Sequence, residues 1–131
     1  MKVYIDSNIF VYVAIRHPQF GNACKAFLST INQKEIVGVT SALTLCEVHH
    51  AIAKYLDKKA AELVIQSILS LPIEIIALDS NMFCSAIHQI REHNLKINDA
   101  VHFSVALATK TDKLYSYDKD FDGLEIPRAK P

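Results

Sequence analysis

Four short apolar runs, rich in β-branched and aromatic residues, punctuate the chain at residues 3–5, 36–40, 73–78 and 114–117. Three of them stop at an aspartate: Asp6, Asp79 and Asp118. Most are apolar at consecutive rather than alternate positions, the pattern of strands covered on both faces. Between them the period changes to that of amphipathic helices. Residues 22–31 carry apolar side chains at positions 23, 24, 27, 28 and 31, and residues 41–56 align Leu45, Val48, Ile52 and Tyr55 behind Ser41 as a cap. Residues 58–71 align Ala61, Val64, Ile65, Ile68 and Leu69, and residues 80–92 align Phe83, Ala86, Ile87 and Ile90 behind Asp79. Residues 98–109 are apolar nearly all round, which predicts a central, buried helix. Strands alternating with helices imply an α/β fold, a parallel sheet with helices on both faces. In such sheets, sites form outside the carboxyl ends of the strands, where Asp6 and Asp118 are expected.

The 131 residues suit a single domain over residues 1–131, and a hydrophobic half supplies its core without staples. Three glycines and four prolines leave no room for linkers or low complexity. Fourteen basic residues balance fourteen acidic ones, which excludes a strongly basic nucleic-acid binder. Four acids set aside for a metal would leave 14 basic against 10 acidic, a surface of +4 that a polyanion tolerates. Cys24, Cys46 and Cys84 are odd in number and far apart, without metal-ligand spacing, and read as buried free thiols of a reducing compartment. Asp6, Ser7 and Asn8 interrupt the only stretch resembling a leader, and no stretch has membrane-spanning length. The expectation is a soluble cytoplasmic protein with no membrane association.

Taken singly, the acids have ordinary explanations. Asp6-Ser7-Asn8 favours a turn or cap, yet the end of a buried strand equally suits a rigid carboxylate with Ser7 and Asn8 bonded to it. Glu47 lies off the Leu45/Val48/Ile52 stripe, on the side of His50 and Lys54, so periodicity places it on a solvated face. Asp99 opens the most apolar helix, where the helix dipole favours an acid and where partial desolvation calls for a cation. The stretch Tyr117-Asp118-Lys119-Asp120-Phe121-Asp122-Gly123 resembles a calcium loop but has its glycine misplaced and no closing glutamate. Asp120 is a candidate cap for a short turn starting at Phe121, and Asp122-Gly123 reads as a turn. His49 and His50 diverge on a helix; His102, three residues after Asp99, is within reach of the site but reads first as a core or partner-contact residue; and His17, His88 and His93 read as surface or loop residues.

Read together, four blocks form a pattern: Val-Tyr-Ile-Asp6-Ser-Asn8, Thr-Leu-Cys-Glu47-Val, Ile-Asn-Asp99-Ala-Val-His-Phe-Ser-Val-Ala, and Tyr-Ser116-Tyr-Asp118-Lys-Asp120-Phe121. They resemble the signature blocks of the PIN-domain family, and the toxin ribonucleases of the VapC type are most similar in length and spacing. The likeness spans nearly the whole chain. It implies a three-layer α/β/α fold around a parallel sheet of four or five strands, an Mg²⁺ or Mn²⁺ cofactor, and cleavage of RNA phosphodiester bonds. By motif match, Asp6, Glu47, Asp99 and Asp118 take the catalytic acidic positions. Asp6, Asp99 and Asp118 would bind the metal, and Glu47 would either bind it or orient the attacking water. Asn8, Ser116 and Asp120 take the supporting polar positions. Ser116 stands where threonine is commoner, and Asn94 where glycine is frequent; both replacements keep the needed hydroxyl or turn. The resemblance also implies a homodimer and a small antitoxin protein, with a basic side chain of the antitoxin entering the acidic pit.

The implied chemistry suits the residue types. Converging carboxylates repel and take up protons unless a cation lies among them, and an all-oxygen set favours Mg²⁺ or Mn²⁺ over Zn²⁺. Two rival readings remain at this point. A phosphatase or phosphotransfer domain also places aspartates at strand ends, but Asn8 stands where many such phosphatases need a second acid. The other rival is a catalytically inactive module that binds RNA or protein.

Overall fold

A computed structural model describes all of residues 1–131. The order of elements is β1 (Lys2–Ile5), α1 (Ser7–Ala14), α2 (Gly21–Asn32), β2 (Val37–Ser41), α3 (Ala42–Tyr55), α4 (Lys58–Ser70), β3 (Ile73–Ile76), α5 (Ser80–His93), α6 (Ile97–Ala108), β4 (Lys113–Tyr115), a 3₁₀ turn (Lys119–Phe121) and β5 (Arg128–Ala129). All five strands are parallel, in the order β3-β2-β1-β4-β5. The expected α/β architecture with a sheet of four or five parallel strands is therefore present.

Alternation along β1 divides the core. Tyr4 joins Val39 and Leu114 in a cluster with Val101, Phe103 and Val105 of α6. Val3 and Ile5 point the other way, into a cluster with Ile9 and Phe10 of α1, Phe27 and Ile31 of α2, Val48 and Ile52 of α3 and Ile68 of α4. Successive strand side chains face opposite layers, so a run apolar at every position feeds both. The expected central helix is α6, with every residue from Ala100 to Ala106 buried. Gly38 lets the second layer approach closely: a Cβ there would sit 3.1 Å from Ile5 Cδ1, 3.2 Å from Ile31 Cγ2 and 3.3 Å from Ile73 Cγ1.

Several local expectations change. Helix α1 was not anticipated, because the apolar run after Asp6 lacks helical period. The third and fourth strands end earlier than expected, at Ile76 and Tyr115, which puts Ser116 and Tyr117 in the loop beyond the sheet. Tyr55, Leu69, Phe83 and Ile87, aligned with apolar stripes, are exposed, because the apolar arcs of these helices are wider than the face each one buries. Of the three free cysteines only Cys24 is buried; Cys46 and Cys84 lie on outward helix faces. Asp79 caps α5 as expected, accepting from the Met82 amide at 3.0 Å. Ser41 precedes α3 but its hydroxyl makes no capping bond, being engaged by Tyr4 instead. Asn94 ends α5 in the left-handed conformation (φ 54°), the turn its position requires.

Candidate metal centre

The carboxyl ends of β1 and β4 lie side by side, and the ladder continues one step past β1: the Asp6 amide donates to the Tyr115 carbonyl at 3.1 Å. Asp6 is thus held by the sheet on one side and caps α1 on the other. Its Oδ1 accepts from the Ser7 amide at 2.7 Å, and its Oδ2 accepts from Ser116 Oγ at 2.6 Å and Asn8 Nδ2 at 3.0 Å. Ser116 is fixed in turn, its amide donating to the Ala129 carbonyl at 3.0 Å in the bridge to β5. Its hydroxyl accepts from the Asp118 amide at 2.9 Å and from Asn8 Nδ2 at 3.0 Å. Asn8 and Ser116 therefore tie the β1 and β4 ends into one unit.

Asp118 points back over this unit. Its Oδ1 accepts from the Asp120 amide at 2.9 Å, which makes Asp118, and not Asp120, the cap of the 3₁₀ turn. Asp120 is left free to project beside it. Asp99 enters from the first turn of α6, and carboxylate oxygens of Asp99, Asp118 and Asp120 lie within 4.8 Å of one another. A second group of Asp6, Glu47 and His102 meets the same limit. Glu47 does not share the solvated side of His50 and Lys54; it reaches across to α6 and is half-buried. Its Oε1 lies 2.5 Å from His102 Nε2 and its Oε2 accepts from Asn98 Nδ2 at 3.0 Å.

His102 is 1% exposed, and the expectation of a core residue describes only part of its environment. The Tyr4 hydroxyl donates to Ser41 Oγ at 3.1 Å, so its oxygen is free to accept from His102 Nδ1 at 2.7 Å. With Nε2 facing Glu47 and, at 3.7 Å, Asp6, both ring nitrogens then donate. Burial opposes the imidazolium, but the Glu47 hydrogen bond and the charges of Asp6, Glu47 and Asp99 outweigh it and raise the His102 pKa. Burial likewise opposes ionisation of Glu47, yet the hydrogen bond and charge of His102, helped by Asn98, lower its pKa overall.

Asp6 and Asp99 are shifted the other way, both of them first by burial. Burial raises the Asp6 pKa against the pull of His102, Ser116 and Ser7. Asp99 is pushed up to about 6, first by burial and then by the charges of Asp118, Asp6 and Asp120. An acid raised by the three carboxylates around it, as Asp99 is, marks a place that fits a cation. The oxygen-only group of Asp99, Asp118 and Asp120 fits a hard divalent ion in particular.

All seven site residues expected from sequence thus lie in this one region, though arranged differently. Asp6 and Glu47 group with His102, whereas Asp99 and Asp118 group with Asp120, expected only to support. The sequence reading left out Tyr4 and Asn98 and placed His102 within reach of the site but first in the core. The available signals were the spacing of His102 three residues after Asp99, which puts both on one helix face, and the need of a buried tyrosine hydroxyl for a partner.

Comparison with known proteins agrees with this architecture. The family model for the PIN domain matches residues 3–126. No curated protein matches the chain in sequence. Among solved structures, the Mycobacterium tuberculosis toxin VapC20, described as cleaving the sarcin–ricin loop, superposes with a TM-score of 0.84 at 17% identity, covering 98% of this chain and 99% of its own. VapBC2 from Rickettsia felis, bound to a promoter DNA fragment, gives 0.74 at 20% identity, with 99% and 98% covered. A toxin–antitoxin complex from Klebsiella pneumoniae gives 0.71 at 18% identity, with 97% and 95% covered.

Proposed function

Because the chain belongs to the PIN domain family, we infer that it is a metal-dependent ribonuclease that hydrolyses RNA phosphodiester bonds, the toxin of a VapBC-type toxin–antitoxin pair. The observation that carries this reading is the pair of acidic groups at the carboxyl ends of β1 and β4, Asp99 with Asp118 and Asp120 and, within range of the Asp99 charge, Asp6 with Glu47 and His102. A structural role gives no reason to bring like charges together at a cost to the fold.

In this reading Asp6, Asp99 and Asp118 would hold Mg²⁺ or Mn²⁺, and Asp120, grouped with Asp99 and Asp118, would add a further oxygen. The ion, when bound, supplies Lewis acidity toward the phosphate and lowers the pKa of bound water. Asn8 and Ser116 keep the Asp6 carboxylate from rotating. Glu47, kept ionised by His102 and Asn98, stands ready to accept a hydrogen bond from the attacking water and to orient it. His102, braced by Tyr4, aims Glu47. The reading includes a small antitoxin partner, in keeping with the toxin–antitoxin complexes among the structures of like fold, and a homodimer. No helix is long and apolar enough to cross a membrane.

Cleavage of RNA by the purified protein in Mg²⁺, in Mn²⁺ and in excess chelator tests this reading. Cleavage in either ion, its loss with chelator and its loss in Asp99→Asn are expected. RNA binding without cleavage under every condition would instead favour an inactive module, and hydrolysis of a chromogenic phosphate ester in place of RNA would favour a phosphatase.

A further inference from the structure

Beside the acidic pit, four aromatic side chains form a continuous cluster that the proposed chemistry does not use. Tyr117 sits between Ser116 and Asp118, inside the site's own loop. Its ring stacks on Phe20 with centroids 4.2 Å apart, Phe20 stacks on His17 at 4.8 Å, and Tyr12 lies against both Tyr117 and Phe20 at 5.5 Å. All four rings are half-buried, and Tyr12, Phe20 and Tyr117 pack on the edge of the second core cluster while still reaching the surface. Burial raises the Tyr12 pKa first, the neighbouring Cys24 next, and the charges of Asp6 and Asp118 after that.

The far end of the stack opens into a polar cavity of about 340 Å³ lined by Arg16, His17, Asn22 and Lys25 and by no acid. The His17 ring belongs to both features. Its Nδ1 accepts from the amides of Gln19 and Phe20 at 3.2 Å each, so the proton of the neutral ring resides on Nε2, a donor. Arg16 takes the left-handed backbone conformation (φ 52°) at the end of α1, and Gly21 admits the close approach this requires: a Cβ there would meet the Tyr12 carbonyl oxygen at 3.1 Å and Arg16 C at 3.3 Å. The chain thus accepts local strain where its basic side chains line the cavity. In a protein of zero net charge, the row of rings runs from Tyr117 in the site's own loop to His17 in a basic cavity.

Resting on the ribonuclease reading, we propose that the Tyr117–Phe20–His17 stack, with Tyr12 beside it, is a platform for an unpaired base next to the scissile phosphate, and that Arg16 and Lys25 hold a neighbouring phosphate of the same single strand. Rings accept any base that is free to leave its own stack, whereas a duplex keeps its bases covered. The platform therefore requires a strand whose base is unpaired at that point.

The test uses a cleavage-deficient Asp99→Asn chain and a fluorescent, unstructured oligoribonucleotide in Mg²⁺, with a duplex of equal length alongside. Phe20→Leu and Tyr117→Leu keep the apolar volume and remove the ring face; each is expected to weaken single-strand binding about tenfold. Arg16→Gln with Lys25→Gln is expected to flatten the salt dependence of binding by roughly 0.7 in logarithmic slope for each charge removed, an effect that altered packing would not produce. Unaltered affinity in both ring variants, or tighter binding of the duplex than of the single strand, would overturn the platform. So would a shift in oligomeric state of the ring variants with RNA affinity intact, which would assign the rings to a second copy of the chain, or an absence of RNA binding by the parent chain. Cleavage by the unmodified protein is assayed in parallel. If it cleaves RNA while the ring variants bind like their parent, the platform fails and the ribonuclease reading stands. If it cleaves nothing while binding still depends on the rings, the ribonuclease reading fails, the place beside a scissile phosphate falls with it, and the rings stand only as a base-binding surface.

Discussion

Replacing Asp99 by asparagine should stabilise the metal-free protein while removing its response to metal. In the fold Asp99 titrates near 6 against an ordinary 3.8, because burial and the charges of Asp118, Asp6 and Asp120 disfavour its ionised form. The folded state therefore binds more protons than the unfolded state between about pH 4 and 6, and stability falls as pH rises through that window. Above it, at about 1.4 kcal/mol per pH unit, the full penalty would be roughly 3 kcal/mol. Asp99 is only half-buried, so solvent screening reduces this to about 1–2 kcal/mol. Asparagine keeps the shape and removes the charge. At pH 7.5 in chelator, Asp99→Asn should melt about 3–6 °C above the parent, and the difference should vanish near pH 4. Added Mg²⁺ or Mn²⁺ should raise the melting temperature of the parent and leave the variant unmoved. The assay is thermal unfolding across pH 4–8 with and without metal. A variant less stable than the parent in chelator at pH 7.5, or a difference independent of pH, would refute the reasoning.

Other perturbations probe the frame around the site. Ser116→Ala removes the donor to buried Asp6 and the acceptor for the Asp118 amide, and should cost about 1–3 kcal/mol in denaturant unfolding. Gly38→Ala crowds Ile5, Ile31 and Ile73 between sheet and helix layer, and should cost about 1–3 kcal/mol by the same measurement. In the native protein a water-soluble thiol reagent should modify Cys46 and Cys84 quickly and Cys24 only after unfolding, as read by mass spectrometry of the intact chain.

Much of the fold was legible because the sheet is covered on both faces. Strands such as Val3-Tyr4-Ile5 must then be apolar at every position, and each ends where polar residues begin. The same logic hid α1. Its run of Ile9, Phe10, Val11, Tyr12 and Val13 is β-branched and aromatic, with no polar face to reveal a helical period; capping by Asp6 and packing against α2 and α3 decide its conformation. Strand β5 is two residues long, and its place is set by backbone bonds across from β4 that leave no side-chain pattern.

The site was legible as a set of positions but not as an arrangement. Spacing puts Asp6 and Asp118 at neighbouring strand ends, but nothing in it says that Asp118 turns back to cap the 3₁₀ turn and leaves Asp120 beside Asp99. Glu47 read as solvated because the hydrophobic stripe of α3 marks only the face buried in its own layer, whereas the partners of Glu47 lie on α6. Buried polar residues such as His102 are the hardest to assign, since their environment depends on which distant side chain satisfies them, here Tyr4 from β1.

Direct measurement of Mn²⁺ binding, by calorimetry or by the loss of the free-ion paramagnetic signal, bears on the whole account at once. Saturable binding to the parent chain that Mg²⁺ displaces, and that disappears in both Asp99→Asn and Asp118→Asn, is the predicted result. A parent chain that takes up no Mn²⁺ at millimolar concentration, or variants that bind it as the parent does, would contradict the assignment of these carboxylates to a metal.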